Sequence, residues 1–242
     1  MSRRTFLAAA ALAVLALGLP ATATYAQPPA AGQDALTDPA MKGPEVIAFM
    51  QLKPGAKVAD IVAGRFVRAL SQAVGPKGKL YAVMPAEVVK AHPEVVGMLN
   101  KTASDPAYGN IVVTTPPVNA MDLPKGLDAV FIRQNYHDLY DKFMGPADVA
   151  AFNKQVFAAL KPGGVYVVLD HADAAGTGLT GTEGRHRIEE AKAKEDILAA
   201  GFRLDAESDI LRNPADDHTK FVFHPSVRGK TDQFLLRFKK PK

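Results

Sequence analysis

The chain has 242 residues, of which 48% are hydrophobic and 22% charged; that suits one packed domain with appendages and excludes intrinsic disorder. Formal charge is +4, but Arg3 and Arg4 supply two of those charges and residues 1–26 hold no acid, so the remainder carries +2. That balance is too weak to favour nucleic acid or an anionic membrane as a partner. The absence of cysteine excludes a disulfide framework, a lipoprotein anchor and thiolate chemistry, and fits an oxidising compartment.

The first segment, "MSRRTFLAAAALAVLALGLPATATYAQ", has a short basic start, an apolar run from Phe6 to Leu19 and a breaker at Pro20. Small residues follow at Thr24 and Ala26. It reads as a secretory signal peptide over residues 1–26, too short in its apolar run to span a bilayer comfortably. Cleavage is expected after Ala26, with Ala23 as the alternative. "SRRTFL" matches the twin-arginine pattern of folded export; the plainer reading is an ordinary signal that happens to carry two arginines. A soluble periplasmic or secreted mature protein, with no membrane span, is expected. Residues 27–43 begin Pro/Ala-rich and aperiodic and are expected to be a flexible leader, with a single domain over residues 44–242.

From Pro44 the pattern becomes regular. A short helix to Met50 and the turn "KPGAK" lead into a strand over Val58–Val62. Phe66, Leu70 and Val74 recur at helical spacing, predicting a helix over Arg65–Val74 that stops at "GPKGK". A strand over Leu80–Met84 and a helix over Ala86–Ala91 follow. Further strands are read at Asn110–Thr115 and Leu127–Gln134. Next comes a helix from Gly145 to Leu160, with Pro146 near its first turn. The apolar run Val165–Asp170 reads as a buried strand, Arg185–Ala200 as a helix stopped by Gly201, and "FRLDAESDIL" and "DQFLLRFKK" as the last strands. Strands separated by helices predict a mostly parallel sheet covered on both faces. The final pair, with no helix between, predicts an antiparallel edge.

This order, with "LKPGAKVADIVAG", "GPKGKLYAV", "NYHD" and "FAALKPGGVYVVLD", resembles the class I S-adenosylmethionine-dependent methyltransferase fold from Pro44 to Lys239. "DHADAAGTG", "HRIEEAKAKEDILAAGFRLDAESDILRNPADDH" and "GKTDQFLLRF" narrow the resemblance to a group of exported bacterial predicted methyltransferases. It implies an α/β, Rossmann-like, seven-stranded sheet with S-adenosylmethionine as cofactor. It also implies cofactor contacts from Asp60, Ala63, Gly64, Met84, Glu87 and Asn135. Two departures stand out. The loop "IVAGRF" is shorter and poorer in glycine than the family's acidic residue followed by G-x-G-x-G, and glycine is what lets backbone amides approach a ligand closely. The end of the second strand, where the family places Asp or Glu to hold the ribose hydroxyls, carries Met84 and Pro85, with Glu87 three residues on.

In an open α/β sheet ligands bind beyond the carboxyl ends of the strands. That places Asn135, Tyr136, His137 and Asp138 in one crevice with Asp60, and His171 and Asp173 on the same side. His186 and Arg187, from the start of the next helix, are expected to flank it. So is the loop Arg212–Thr231, which carries His218 and His224. Methyl transfer is an in-line displacement that needs alignment more than acid–base work. Where a base helps, His137 is the candidate, oriented by Asp138, with Tyr136 stacking on a ligand and His171 nearby. Each has a plainer reading: Asn135 or Asp138 as a helix cap, His171 as a loop pin, His186 as a solvated first-turn residue, His218 and His224 as loop residues. His137, Asp138, His171 and Asp173 are also nitrogen and oxygen donors, but none sits at a diagnostic metal spacing, and no metal is expected. Two functions follow. One is an exported methyltransferase acting on a small or medium acceptor. The other is a methyltransferase-like fold that no longer methylates and binds another small ligand or a partner.

Overall fold

The computed structural model describes residues 33–242. The export signal and the first part of the leader lie outside the described residues. Seven strands form the sheet: β1 (Lys57–Ile61), β2 (Lys79–Val83), β3 (Ile111–Thr114), β4 (Leu127–Arg133), β5 (Leu160–His171), β6 (Arg203–Ser208) and β7 (Gln233–Lys239). Their order is β3-β2-β1-β4-β5-β7-β6. The pairs among the first five are parallel, and β7 runs antiparallel between β5 and β6. The central strands are buried on both faces, which is why they read as near-continuous apolar runs. Val58, Ala59, Ile61, Val130, Phe131 and Ile132 are all fully enclosed. The expected sheet, its parallel body and its antiparallel edge are all present.

The helices are α1 (Gly43–Met50), α2 (Val67–Val74), α3 (Ala86–Ala91), α4 (Glu94–Ala103), α5 (Val149–Ala159), α6 (Thr182–Arg185) and α7 (Glu190–Ala199). The α2 helix packs on β1 and β2 with α1 against it, α4 packs on β3 with α3 beside it, and α5 packs on β5 and against α7. The helix α4 was not expected, β5 starts five residues before the expected Val165, and two other shifted boundaries have a clear local cause. The α5 helix starts after Pro146, because the Asp148 side chain accepts a hydrogen bond from the Ala151 amide and caps it there. The helix expected from Arg185 is broken: α6 ends at His186, whose φ of 53° is left-handed, and α7 begins at Glu190.

Residues 34–43 are not a flexible leader. Ala35 and Met41 are buried, the Ala35 amide donates to the Arg65 carbonyl at 2.9 Å, and Asp34 pairs with Arg68 at 2.5 Å. Gly43 shows how close the segment lies: a Cβ there would sit 1.9 Å from the Ala35 carbonyl oxygen. Composition could not reveal this, because the partners Arg65 and Arg68 are some thirty positions away.

Candidate functional site

The strand order reverses between β1 and β4, since β1 neighbours β2 on one side and β4 on the other, and such a switch point opens a crevice beyond the strand ends. Both strands leave the sheet through a left-handed non-glycine residue, Val62 (φ 54°) after β1 and Gln134 (φ 55°) after β4. A β-branched residue there is sterically costly.

Asp60 is 2% exposed and lies opposite Phe131 in the β1–β4 register. Its carboxylate accepts from the Gly64 amide, while Oδ2 has no hydrogen-bond partner among the described residues. Burial pushes its carboxyl up to about 7, against the lowering pull of the Gly64 amide and the Arg133 guanidinium. Arg133, at the end of β4, feels both Asp60 and Asp170, so its charge lies between the two halves of the crevice. Gly64 is exposed, and a Cβ there would meet only the Val62 oxygen at 3.9 Å. No contact among the described residues demands glycine at that position.

The β2 side is different. Met84 is 3% exposed and belongs to the core. The Glu87 carboxylate accepts from the Val118 amide at 3.0 Å, so it is spent on holding a neighbouring turn. For S-adenosylmethionine, the orphaned Asp60 oxygen and the open Gly64 fit a cationic amino-acid group. Met84 and Glu87 do not fit the ribose hydroxyls. The cofactor contacts expected of those two residues are therefore not available.

The richest chemistry lies beyond β4 and β5. The 3-10 turn His137–Tyr140 follows β4 and brings His137, 1% exposed, against the end of β5. There Asp170, fully buried, takes three donors. Its Oδ2 accepts the His137 amide at 2.8 Å, its Oδ1 accepts the His171 amide at 2.7 Å, and Oδ1 also lies 2.8 Å from His137 Nδ1. His137 Nε2 points the other way, 3.1 Å from His186 Nδ1 and 3.1 Å from Asp138 Oδ1. His186 Nδ1 is 3.4 Å from the same oxygen, whose neighbours among the described residues are these two imidazoles. The other Asp138 oxygen accepts from Asn135 Nδ2 at 2.6 Å.

The left-handed turn at His186 creates this meeting. Its amide donates to the Thr182 carbonyl at 3.0 Å, and Ile188 then bridges to the strand end at Ala172. Gly181 is needed for close approach, since a Cβ would fall 1.9 Å from Asp173 Oδ2. Phe221 and Phe223 lie over the His186 ring at centroid distances of 5.2 and 6.0 Å. Phe223 and Val222 help to line a cavity of about 40 Å³ on which Asn135, His137, His171 and His186 open.

Burial alone would lower His137, but Asp138 and Asp170 outweigh it and hold the imidazole well above its ordinary value. Burial would likewise raise Asp138, yet His137 keeps it well below the usual carboxylate range. His171 moves the opposite way: burial lowers it, and the neighbouring His137 and Arg133 cations lower it further. Its Nδ1 lies 2.7 Å from Thr231 Oγ1. The unperturbed base expected at His137 is thus not what the fold builds; His171 is the imidazole held neutral.

Other expectations are corrected by what the side chains touch. Tyr136 is fully buried and its hydroxyl accepts from Asn153 Nδ2 at 2.8 Å, so it faces the core rather than a ligand. Arg187, with no exposed surface, binds the Asp216 carboxylate at 2.8 Å and the Ala172 and Lys220 carbonyls; it staples the long loop. His218 lies 3.1 Å from Asp232 in the same staple, and His224 contacts Ser226 near the surface. Asp173 is taken by Arg185 at 2.7 Å. Of the five histidines expected on one face, the structure gathers His137, His171 and His186.

Sequence reasoning passed over Asp170 as the end of an apolar strand. A carboxylate closing "VYVVL" at the ligand end of a central strand was the available signal, since a buried charge needs a partner.

No family model and no curated protein matches the chain. Among solved structures, a SAM-dependent methyltransferase from Aquifex aeolicus is similar at TM-score 0.59 and 20% identity, covering 81% of this chain and 88% of that one. The [4+2]-cyclase SpnF is similar at TM-score 0.58 and 15% identity, covering 81% and 79%. A possible exported protein from Bordetella parapertussis is similar at TM-score 0.51 and 17% identity, covering 82% and 67%. The chain therefore has the class I methyltransferase fold. No helix among the described residues is long and apolar enough to cross a membrane.

Proposed function

We propose that the chain is an exported enzyme that transfers a methyl group from S-adenosylmethionine to a small acceptor held beyond β4 and β5. One juxtaposition carries this reading. At the switch point, the orphaned Asp60 oxygen with open Gly64 stands at the end of one strand, and a buried His–Asp centre stands at the end of its neighbour. A donor and an acceptor bound at adjacent strand ends are held side by side, which is the alignment that in-line transfer requires. In this reading S-adenosylmethionine supplies the activated methyl group. Asp60 and Gly64 hold its amino-acid end, while His171, kept neutral by burial and the neighbouring cations, is an imidazole that can hydrogen-bond and orient the acceptor. The signal at residues 1–26 and the likeness to a possible exported protein support a location outside the cytoplasm. A small molecule is the expected partner, and nothing favours nucleic acid.

The test is calorimetry of the purified protein with S-adenosylmethionine and S-adenosylhomocysteine. Saturable micromolar binding that is lost in Asp60→Ala is expected. Folded protein that binds neither at millimolar concentration would sink the reading. Secretion should fail when Arg3 and Arg4 are both changed to Lys; unchanged secretion would remove the twin-arginine route.

A second reading is favoured by Met84 in the core and Glu87 bound to Val118: a methyltransferase fold that no longer methylates. That a [4+2]-cyclase has a similar fold supports it. Cofactor-independent turnover of a small molecule, lost in His137→Ala, would decide for this alternative.

A further inference from the structure

Three buried donor atoms converge with nothing between them: His137 Nε2, His186 Nδ1 and Asp138 Oδ1, at 3.1, 3.1 and 3.4 Å from one another. A buried carboxylate and two imidazole nitrogens this close together need positive charge among them. A proton on His137 Nε2 supplies it in one state, shared with Asp138 Oδ1 and His186 Nδ1. Asp170 faces His137 Nδ1 at 2.8 Å and keeps the other ring proton there, so a metal cation can take the place of the Nε2 proton without disturbing that support.

The spacing identifies what fits. A metal ion about 2.0–2.2 Å from each donor, with angles between octahedral and tetrahedral, separates the donors by about 2.8–3.6 Å. All three observed distances fall in that range. The surroundings are those of a metal ligand set as well. His137 has a carboxylate behind its far nitrogen, the usual support for a ligating imidazole. Asn135 occupies the other Asp138 oxygen at 2.6 Å, which leaves Oδ1 to bind through one atom. Two imidazoles and one carboxylate on a single face, with the opposite side open, suit a divalent first-row transition ion. The open side faces the cavity of about 40 Å³, room for one water or one ligand oxygen.

We propose that His137, Asp138 and His186 form a mononuclear binding site for a divalent transition-metal ion, with Asp170 as positioning residue and the open coordination positions facing the cavity. The site rests on reading this centre as the working end of the crevice but not on the identity of the methyl donor. His171 stands beside it on Thr231 and is not in the set.

The test uses tag-free purified protein, stripped with chelator and titrated with Co²⁺ and then Zn²⁺. One equivalent of Co²⁺ should bind and produce d–d absorption in the visible, displaced by Zn²⁺. The His186→Gln variant should lose at least a hundredfold in affinity. Asp170→Asn should lose about tenfold to a hundredfold, as an outer partner does. Far-ultraviolet circular dichroism confirms that each variant is folded, and where His186→Gln does not fold, the isosteric Asp138→Asn carries the same reading. A wild-type protein that takes up no Co²⁺ at micromolar concentration overturns the proposal, as does equal affinity in wild type and folded variants. The titration contains no S-adenosylmethionine. Its failure therefore leaves methyl transfer standing, and metal binding by a protein indifferent to the cofactor sinks methyl transfer alone.

Discussion

The two ends of the crevice make an instructive contrast. Beyond β1, the chain keeps the outline of a cofactor loop but little of its equipment: one orphaned carboxylate oxygen, one open glycine, and a strained Val62. Beyond β4 and β5, it has assembled buried polar groups, three of them backed by a second residue. Asp170 stands behind His137, Asn135 behind Asp138, and Thr231 beside His171. A buried charge is retained only where it is paired or used. The density of such groups makes the second region the one to probe for chemistry, while the first identifies the fold. The contrast can be broken or sharpened one side chain at a time.

The largest effect is expected at Asp170. Replacing it with Ala leaves the His137 and His171 amides and the His137 ring without an acceptor in a fully buried site. Removing one member of such a buried charged set costs about 3–5 kcal/mol, read as a lower denaturant midpoint at unchanged m-value. A loss below about 1 kcal/mol, the worth of an ordinary hydrogen bond, would mean that Asp170 does not organise the centre.

Asp60 comes next, and its effect depends on pH. The folded protein keeps its proton up to about pH 7, whereas the unfolded chain releases it near 3.8. The folded state thus binds more protons in that window, and stability falls as pH rises through it. The full difference is on the order of 4 kcal/mol. Asp60→Asn should match wild type at pH 4 and be the more stable of the two at pH 8, with the slope between lost. Parallel stability profiles for both proteins would show that Asp60 is ionised at little cost. The first region would then not be waiting for a cation.

How far the sequence carried follows the same division. Strands β1, β4 and β5 were legible because burial on both faces writes itself as apolar runs, and "NYHD" was legible because polar residues closing such a strand have little to do in a core. His186 was expected at a helix start; its left-handed turn is set by contacts with Thr182 and Gly181 that no periodicity encodes. Arg187, expected to flank the crevice, is drawn inward by Asp216, twenty-nine positions on. Tyr136 was turned away by Asn153. In each case a distant partner in the sequence decided the direction, and local pattern cannot name distant partners. Residues 34–43 fail as a leader for the same reason.

Glu87 offers a smaller test. If its carboxylate serves the Val118 amide and not a ribose, Glu87→Ala should cost about 1.5–3 kcal/mol, the worth of a hydrogen bond to a charged group. Affinity for S-adenosylmethionine, where calorimetry finds any, should stay unchanged. A tenfold fall in affinity with little loss of stability would return Glu87 to the cofactor.

Val62 carries the smallest expected effect and the most direct comparison with the glycine-rich loops of the fold. Its left-handed φ of 54° costs about 1–2 kcal/mol in an L-residue, which Val62→Gly would relieve. Against that stand about 0.5–1 kcal/mol of backbone entropy and roughly 1 kcal/mol for the half-buried isopropyl group that packs on the core. These opposing terms should leave the melting temperature within a few degrees of wild type. The informative readout is then binding. The added glycine gives the loop the freedom that close backbone approach needs, so a gain in S-adenosylmethionine affinity would show that missing glycine limits this site. An unchanged affinity would place the limit at Met84, where no change in the β1 loop can supply the absent ribose acceptor.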